Sequence, residues 1–207
     1  MKEYDYYYFD FDGTLMDTYE SLINPFKKAF READVELTDE DVKKYIHMAL
    51  IQTCEDLHIT DENKMRKVYE TITIEMEREE EIKKIQIFPE VVKVLSSLKE
   101  RGKHIAVVSG NGVAHIKRVM SILNLSEYFD FYVGGDSTKL PKPYADPLEK
   151  AMELSSFPNK SRCMYIGDSL QDPQCAKNAG IDGILLDRKN EYLDYHDKKV
   201  FSLEEIL

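Results

Sequence analysis

The sequence has few cysteines, a deficit of positive charge and no long apolar run, and each shortage argues against a class of protein. The 207 residues include three cysteines, Cys54, Cys163 and Cys175, with no CxxC pair, which disfavours a disulfide scaffold or a zinc knuckle. No apolar stretch approaches the roughly 20 residues that a membrane-spanning helix needs. The first residues lack the basic head and apolar stretch of a secretory signal. We therefore expect a reduced, cytoplasmic protein.

The charge balance is acidic. Lysine and arginine total 28 against 39 aspartates and glutamates, which gives a formal net charge of −11. Such a surface repels nucleic acid and anionic membranes, so we expect neither as a partner. An acidic protein can still bind an anionic substrate when it supplies local cations, usually a metal ion. Hydrophobic residues make up 43% of the chain, enough to bury a globular core.

The hydrophobic pattern changes along the chain. Residues 21–87 contain no glycine, repeat apolar residues at helical spacing, and include a helix start at Thr38 with Asp41 three residues on. The charged run from Glu75 to Lys84 is typical of a solvated helical face. Elsewhere short apolar strands alternate with helices, which predicts a parallel sheet. The predicted strands are Tyr4–Phe9, Ile105–Val108, Phe131–Val133, Cys163–Ile166 and Ile184–Leu186.

This alternation predicts an α/β fold with a Rossmann-like, doubly wound parallel sheet and an inserted, all-helical segment. We expect the core to comprise residues 1–16 and 87–207, and the helical insertion to comprise residues 17–86. Ligands of such sheets bind beyond the carboxyl ends of the strands. The polar side chains that follow the predicted strands, or lie in the loops after them, are Asp10, Asp12, Ser109, Lys142, Asp168 and Asp172.

These residue types together indicate phosphoryl transfer. Clustered carboxylates repel one another, and a hard divalent cation such as Mg²⁺ relieves that repulsion. The cation, the lysine and loop amides can then offset the charge of a phosphate group. One carboxylate can attack phosphorus to give an aspartyl-phosphate, while a second protonates the leaving oxygen and later activates water.

Four motifs in order resemble those of the haloacid dehalogenase superfamily. Asp10-Phe11-Asp12-Gly13-Thr14-Leu15 resembles its first motif, DxDGT; Ser109 resembles the second, Lys142-Pro143 the third, and Gly167-Asp168-Ser169-Leu170-Gln171-Asp172 the fourth, GDSxxD. Two further segments, Phe88-Pro89-Glu90-Val91 and Gly134-Gly135-Asp136, resemble the phosphoglycolate phosphatase-like branch. The resemblance covers nearly the whole chain.

The resemblance implies a role for each matched residue. Asp10 is expected to be the nucleophile and Asp12 the general acid/base. Ser109, with Gly110 and Asn111 in its loop, is expected to hold the phosphoryl oxygens, and Lys142 to neutralise Asp10 and the substrate. Mg²⁺ is expected on the Asp10 carboxylate, the Asp12 backbone carbonyl and Asp168, with Asp172 in support. The helical insertion corresponds to a small cap that excludes water.

The sequence identifies the substrate only as a small phosphorylated metabolite. His47 and Gln52 lie in the segment where this branch has its cap loop, and we expect them to contact the substrate. No arginine or lysine lies between Tyr45 and Leu57, which weakens the case for phosphoglycolate. The oligomeric state is equally open, as a monomer or a homodimer.

Other functions remain open on the same residues. A phosphomutase would keep all four motifs but should have a cationic cap loop, and a pyrophosphatase is also compatible. A 2-haloacid dehalogenase would not need Asp12. A phospho-accepting signalling protein uses a similar set of aspartate, hydroxyl and lysine, but it would be much shorter and lack the helical insertion.

Overall fold

The structure, a computed structural model, describes residues 2–46, 48 and 50–207. Contacts between residues divide the chain into two compact units. One comprises Met1–Met16 with Ile87–Leu207, and the other is Asp17–Gln86. The first unit contains the sheet and the second is helical.

The first unit is built on a six-stranded sheet in the order β5-β4-β1-β6-β7-β8, and every pairing in it is parallel. The prediction of a Rossmann-like α/β core is confirmed. Because β1 lies between β4 and β6, the chain order reverses on either side of it. The strands are β1 (Tyr6–Phe9), β4 (His104–Val108), β5 (Phe131–Val133), β6 (Cys163–Gly167), β7 (Asp182–Leu186) and β8 (Lys199–Val200).

Both faces of this sheet are covered, which explains why its central strands are continuously apolar. On one face, Tyr8 and Tyr165 belong to a buried cluster with residues of the helices α8 (Asp146–Leu154) and α9 (Gln171–Ala179). Their neighbours of opposite orientation, such as Phe9 and Ile166, are also fully buried. The helices of this unit are α6 (Val91–Glu100), α7 (Val113–Ile122), α8 (Asp146–Leu154) and α9 (Gln171–Ala179).

The second unit packs amphipathic helices around its own core. Residues of α1 (Tyr19–Arg31) and α4 (Glu62–Met76) share one buried cluster, which includes Phe26, Phe30, Val68 and Ile72. The Thr38 side chain accepts from the Asp41 amide and Asp41 accepts from the Thr38 amide, so the predicted helix start is a capping box. The helices are α1 (Tyr19–Arg31), α2 (Asp39–Tyr45), α3 (Leu50–Asp56), α4 (Glu62–Met76) and α5 (Glu79–Ile82).

The charged run at the end of this unit is not uniformly solvated, so that prediction was wrong for two of its residues. Glu75 and Glu81 are buried, with 8% and 4% of their surfaces exposed. Glu75 is paired with Lys28 at 2.7 Å, and Glu81 accepts from the Asn24 amide at 3.0 Å. Both partners lie on α1, about fifty residues earlier in the chain. The pairing offsets the cost of removing the carboxylates from water.

Two short strands, β2 (Met16–Asp17) and β3 (Gln86–Ile87), pair where the chain passes between the units. The three cysteines are free and buried. Within the described residues, no helix combines the length and apolar character needed to cross a bilayer.

Candidate active site

The strand order brings the predicted site residues to one edge of the sheet. Asp10 follows β1, Ser109 follows β4 and Asp168 follows β6, three strands that are neighbours in the sheet. The backbone continues this pairing beyond β1, because the Asp10 amide donates to the Ile166 carbonyl at 2.9 Å. Residues far apart in the sequence therefore meet within one small volume.

Three carboxylates converge there. Asp10, Asp168 and Asp172 each offer an oxygen atom, and these atoms lie within 4.8 Å of one another. Asp172 is fully buried and Asp10 is 6% exposed. A compact set of carboxylate oxygens is the donor type that Mg²⁺ and similar hard cations prefer, so the residues present fit a divalent cation.

Lys142 lies against the same carboxylates. Its Nζ is 3.0 Å from Asp10 Oδ1 and 2.7 Å from Asp172 Oδ1. It also donates to the Tyr165 hydroxyl at 3.3 Å. That hydroxyl is within donating distance of the Val108 carbonyl, at 2.8 Å, and of Asp172 Oδ1, at 3.1 Å. The buried lysine and tyrosine therefore fix Asp172 and orient Asp10.

The protonation equilibria of these groups are strongly perturbed. Burial raises the pKa of Asp10 well above its usual range, and the nearby Asp172 and Asp168 carboxylates raise it further. Burial, followed by the charge of Asp172, raises the pKa of Asp168 to about 7. Burial alone lowers the pKa of Lys142, but the charges of Asp10 and Asp172 outweigh it and leave this pKa above its usual value. A bound cation would oppose the upward shifts of the carboxyl pKa values.

The turn after β6 is shaped around Asp172. Its Oδ2 accepts from the Ser169 amide at 2.9 Å and from the Ser169 hydroxyl at 3.0 Å. The Asp172 carboxyl lies directly over Gly167, where an added Cβ would meet Asp172 Cγ at 2.2 Å. The glycine of the GDSxxD motif is therefore required by the close approach of its aspartate.

The Asp12 side chain lies outside the carboxylate group and has a different partner. The Asn111 amide nitrogen donates to Asp12 Oδ2 at 2.6 Å, and the Asn111 backbone amide donates to Ser109 Oγ at 3.2 Å. The loop after β4 thus holds the second carboxylate of the first motif in place. Asn111 was predicted to contact substrate, and in this structure its side chain contacts Asp12.

Two glycines let a neighbouring loop support the one that carries Ser109. A Cβ on Gly135 would lie 2.3 Å from the Gly110 carbonyl oxygen, and one on Gly134 would lie 2.5 Å from the Asn111 carbonyl oxygen. Asp136 Oδ1 then accepts from the Val113 amide at 3.0 Å, at the start of α7. The Gly134-Gly135-Asp136 segment therefore serves to hold the Ser109 loop.

Two residues predicted to contact the substrate, His47 and Gln52, belong to the helical unit. Gln52 is exposed on α3, and its amide donates to Asp56 at 3.3 Å. His47 lies outside the residues that the structure describes. Contact of either residue with substrate stays a prediction.

Sequence reasoning did not identify three residues that support the site. Tyr165 contacts Lys142 and Asp172, as described above. Thr14 Oγ1 donates to Asp168 Oδ1 at 3.3 Å. Arg188 donates to the Gly13 and Thr14 carbonyls, at 3.3 and 2.8 Å. Thr14 stood within a recognised motif and could have been found; Tyr165 and Arg188 gave no local signal.

Comparison with known proteins agrees with this geometry. A sequence model of the haloacid dehalogenase-like hydrolase family matches residues 7–186. A phosphoglycolate phosphatase from Aquifex aeolicus is 32% identical over 174 residues, which cover 83% of this chain and 79% of the relative. The pyrophosphatase PpaX of Listeria monocytogenes is 27% identical over 173 residues, 83% of this chain and 77% of that protein.

Solved structures share the whole fold. A crystal structure from Bacteroides fragilis, assigned to the haloacid dehalogenase-like hydrolases, superposes with a TM-score of 0.87 at 24% identity and covers 99% of this chain and 100% of that one. At this identity the likeness establishes the fold alone. The family match spans most of the chain, so the motif-based prediction of a phosphatase-type enzyme is confirmed at that level. The chain belongs to the haloacid dehalogenase-like hydrolase family.

Proposed function

We propose that the protein is a Mg²⁺-dependent phosphatase that hydrolyses a small phosphorylated metabolite through an aspartyl-phosphate on Asp10. The observation that carries this proposal is the convergence of the Asp10, Asp168 and Asp172 carboxylates, two of which, Asp10 and Asp172, are ion-paired with Lys142. Mg²⁺ held by these carboxylates, with the Asp12 backbone carbonyl, would supply positive charge to the transferring phosphoryl group.

In the proposed reaction, Asp10 is the nucleophile and Asp12 is the general acid/base. A carboxylate oxygen of Asp10 attacks phosphorus, the bond from phosphorus to the leaving oxygen breaks, and Asp12 gives that oxygen a proton. In the second step of the reaction, Asp12 removes a proton from a water molecule. The oxygen of that water attacks phosphorus, and the bond from phosphorus to Asp10 breaks. Phosphate leaves and both carboxyl groups return to their starting states. Asn111 supports the role of Asp12, because its amide holds one carboxylate oxygen at 2.6 Å.

Lys142 would compensate negative charge in the site, and the Ser109 loop would position the phosphoryl group. The lysine neutralises part of the charge of Asp10 and of the arriving phosphate. Ser109, only 4% exposed, lies at the edge of the sheet beside Asp10, where its hydroxyl and the Gly110 amide would hold phosphoryl oxygens. The Asn111 amide would join them by exchanging its hydrogen bond to Ser109 Oγ for one to the phosphate. We further propose that the helical unit is the cap that excludes bulk water during the first step.

A pyrophosphatase is the second candidate. It is favoured by the similarity to PpaX proteins, and the same Asp10 chemistry would serve, with phosphate as the leaving group. The similarity to a phosphoglycolate phosphatase supports a carboxylated monoester instead. The absence of arginine and lysine between Tyr45 and Leu57 argues against that second anionic group being recognised there.

The test is phosphate release from pyrophosphate, phosphoglycolate and a panel of sugar and nucleoside phosphates, with Mg²⁺ and with chelator. We expect Asp10→Asn to abolish turnover while the far-ultraviolet circular dichroism stays unchanged. The matched control is Asp197→Asn, an exposed aspartate that removes the same charge. Turnover by Asp10→Asn near that of the wild type, or release that persists in chelator, would contradict the proposal. The best substrate decides between monoester and pyrophosphate.

A further inference from the structure

Arg188 makes an unusual set of contacts for a residue just after the end of a strand. It lies two residues beyond β7, and 18% of its side chain is exposed. Its guanidinium stacks over the Phe88 ring, 3.8 Å from the ring centroid, and is ion-paired through Nη1 with Glu90. The stacking and the ion pair hold the plane of the guanidinium in one orientation.

In that orientation the guanidinium donates to two consecutive carbonyls of the first motif. Nη2 is 2.8 Å from the Thr14 oxygen and Nε is 3.3 Å from the Gly13 oxygen. The Gly13–Thr14 turn follows Asp12 directly. A lysine could not make the same contacts, because its single ammonium has neither the planar fork nor the stacking face of arginine.

The Gly13–Thr14 turn also lies directly against Asp168. Gly13 has φ of +67°, and an added Cβ would lie 2.0 Å from Asp168 Oδ2. Thr14 Oγ1 donates to Asp168 Oδ1 at 3.3 Å. Thr14 therefore holds one oxygen of a carboxylate that belongs to the proposed cation site, and the other oxygen packs against the Cα of Gly13, where only glycine leaves room for it.

Arg188 also joins two segments that are far apart in the sequence. Gly13 and Thr14 lie just before the chain leaves the sheet-containing unit after Met16, and Phe88 and Glu90 lie just after it returns at Ile87. The amide of Phe88 adds a hydrogen bond to the Leu15 carbonyl at 3.3 Å. One side chain thus fastens the outgoing and the returning segments to each other within this unit.

We propose that Arg188 is a positioning residue that holds the Gly13–Thr14 turn, and through it Asp168, in the arrangement that binds the divalent cation. The inference rests on the proposed function, since it takes Asp168 as a ligand. Arg188 itself contacts neither the cation nor the substrate. Its loss should weaken Mg²⁺ binding first and reduce turnover as a result.

The experiment measures Mg²⁺ binding by isothermal titration calorimetry, together with activity as a function of Mg²⁺ concentration. We expect Arg188→Ala and Arg188→Lys each to raise the Mg²⁺ dissociation constant by about tenfold, the usual scale for a residue that orients a metal ligand. Excess Mg²⁺ should restore most of the turnover in both variants. Lys189→Ala is the control, because it removes a cation from the adjacent exposed position.

Removing Arg188 alone leaves the Glu90 carboxylate, 13% exposed, without its partner. If Arg188→Ala does not fold, the double variant Arg188→Met with Glu90→Gln keeps apolar bulk over Phe88 and leaves no unpaired charge. It should fold and still bind Mg²⁺ about tenfold more weakly. Glu90→Gln alone should stay close to the wild type in Mg²⁺ affinity, because both carbonyl contacts remain.

Three outcomes would overturn the inference. Wild-type Mg²⁺ affinity in the alanine and double variants would show that Asp168 is positioned without Arg188. Full rescue by lysine would show that positive charge alone matters. Turnover lost but not restored by excess Mg²⁺, at unchanged affinity, would make the role structural. A wild-type protein that binds no Mg²⁺ would instead refute the proposed function, and with it the premise.

Discussion

At the scale of single residues, Lys142 compensates the charge of two buried carboxylates. It is the cation between Asp10 and Asp172, and only 13% of its side chain is exposed. A carboxylate that loses its partner inside a protein costs far more than the original pair contributes. The lysine therefore stabilises the fold of the metal-free protein, in addition to the role proposed for it in phosphoryl transfer.

We predict that Lys142→Ala lowers the free energy of unfolding by about 3 kcal/mol in chelator, as expected for a broken buried pair. Added Mg²⁺ should recover part of this loss, because the cation compensates the same carboxylates. Urea unfolding followed by circular dichroism measures both effects. Lys139→Ala, at an exposed position of the same loop region, should change the free energy by less than about 0.5 kcal/mol. Equal effects of the two substitutions would contradict the argument.

At the scale of elements, the end of β6 is a place where the backbone packs tightly against a side chain of the candidate site. Gly167 is the last residue of β6, and Asp172 lies on the first turn of α9. The two residues lie too close together for Gly167 to carry a methyl group. An added Cβ would be 2.2 Å from Asp172 Cγ. The strand cannot keep its register and the aspartate its position if this residue carries a side chain.

We predict that Gly167→Ala lowers the free energy of unfolding by about 1–3 kcal/mol, the usual cost of overpacking, and raises the Mg²⁺ concentration needed for half-maximal turnover. Thermal unfolding and a Mg²⁺ titration of activity measure the two effects. For unfolding, the control is Gly110→Ala, where an added Cβ meets no atom within 4 Å. A normal Mg²⁺ requirement in Gly167→Ala would show that Asp172 can move without consequence.

The elements that the sequence predicted well are those with local signals. The central strands are apolar runs followed by aspartate, serine or glycine, and the start of α2 carries its own capping pair, Thr38 and Asp41. The strands β2, β3 and β8 were missed, since each has only two residues. Periodicity cannot be detected over so short a segment.

The parts of the site that escaped prediction depend on long-range contacts. In the sequence, Tyr165 is indistinguishable from the other buried residues of its strand, but its hydroxyl hydrogen-bonds with Asp172 and Lys142. Arg188 lies 174 residues from Thr14, to which it donates. The burial of Glu75 and Glu81 escaped prediction because, besides a local ion pair each, they contact Lys28 and Asn24 on another helix. Residue type and spacing report the neighbours along a chain, whereas these roles arise from neighbours in space.

At the scale of the whole molecule, the buried carboxylates link stability to pH. Asp168 has a pKa of about 7 in the folded, metal-free protein, against about 4 for an unfolded aspartate. Between these values the folded state binds the proton more tightly, so stability contributed by this group is present at low pH and is lost as pH rises towards 7. A cation bound by these carboxylates would replace the proton above that range.

We therefore predict that Mg²⁺ raises the melting temperature more at pH 8 than at pH 5, since at low pH it must displace protons. In chelator, the wild type should lose stability relative to Asp168→Asn as pH rises from about 4 to 7. Differential scanning calorimetry at several pH values measures both. A constant difference between the two proteins across this range would show that Asp168 does not titrate there.

The position of β1 between β4 and β6 has a consequence for synthesis on the ribosome. Asp10 is made well before Lys142, Asp168 and Asp172. Until β6 (Cys163–Gly167) is available, one edge of β1 has no partner strand, and an open edge favours pairing with other chains. β4 pairs with the opposite edge of β1, so the edge that β6 will cover stays open until β6 has been made. The group of carboxylates formed by Asp10, Asp168 and Asp172 can assemble only after β6 has joined the sheet.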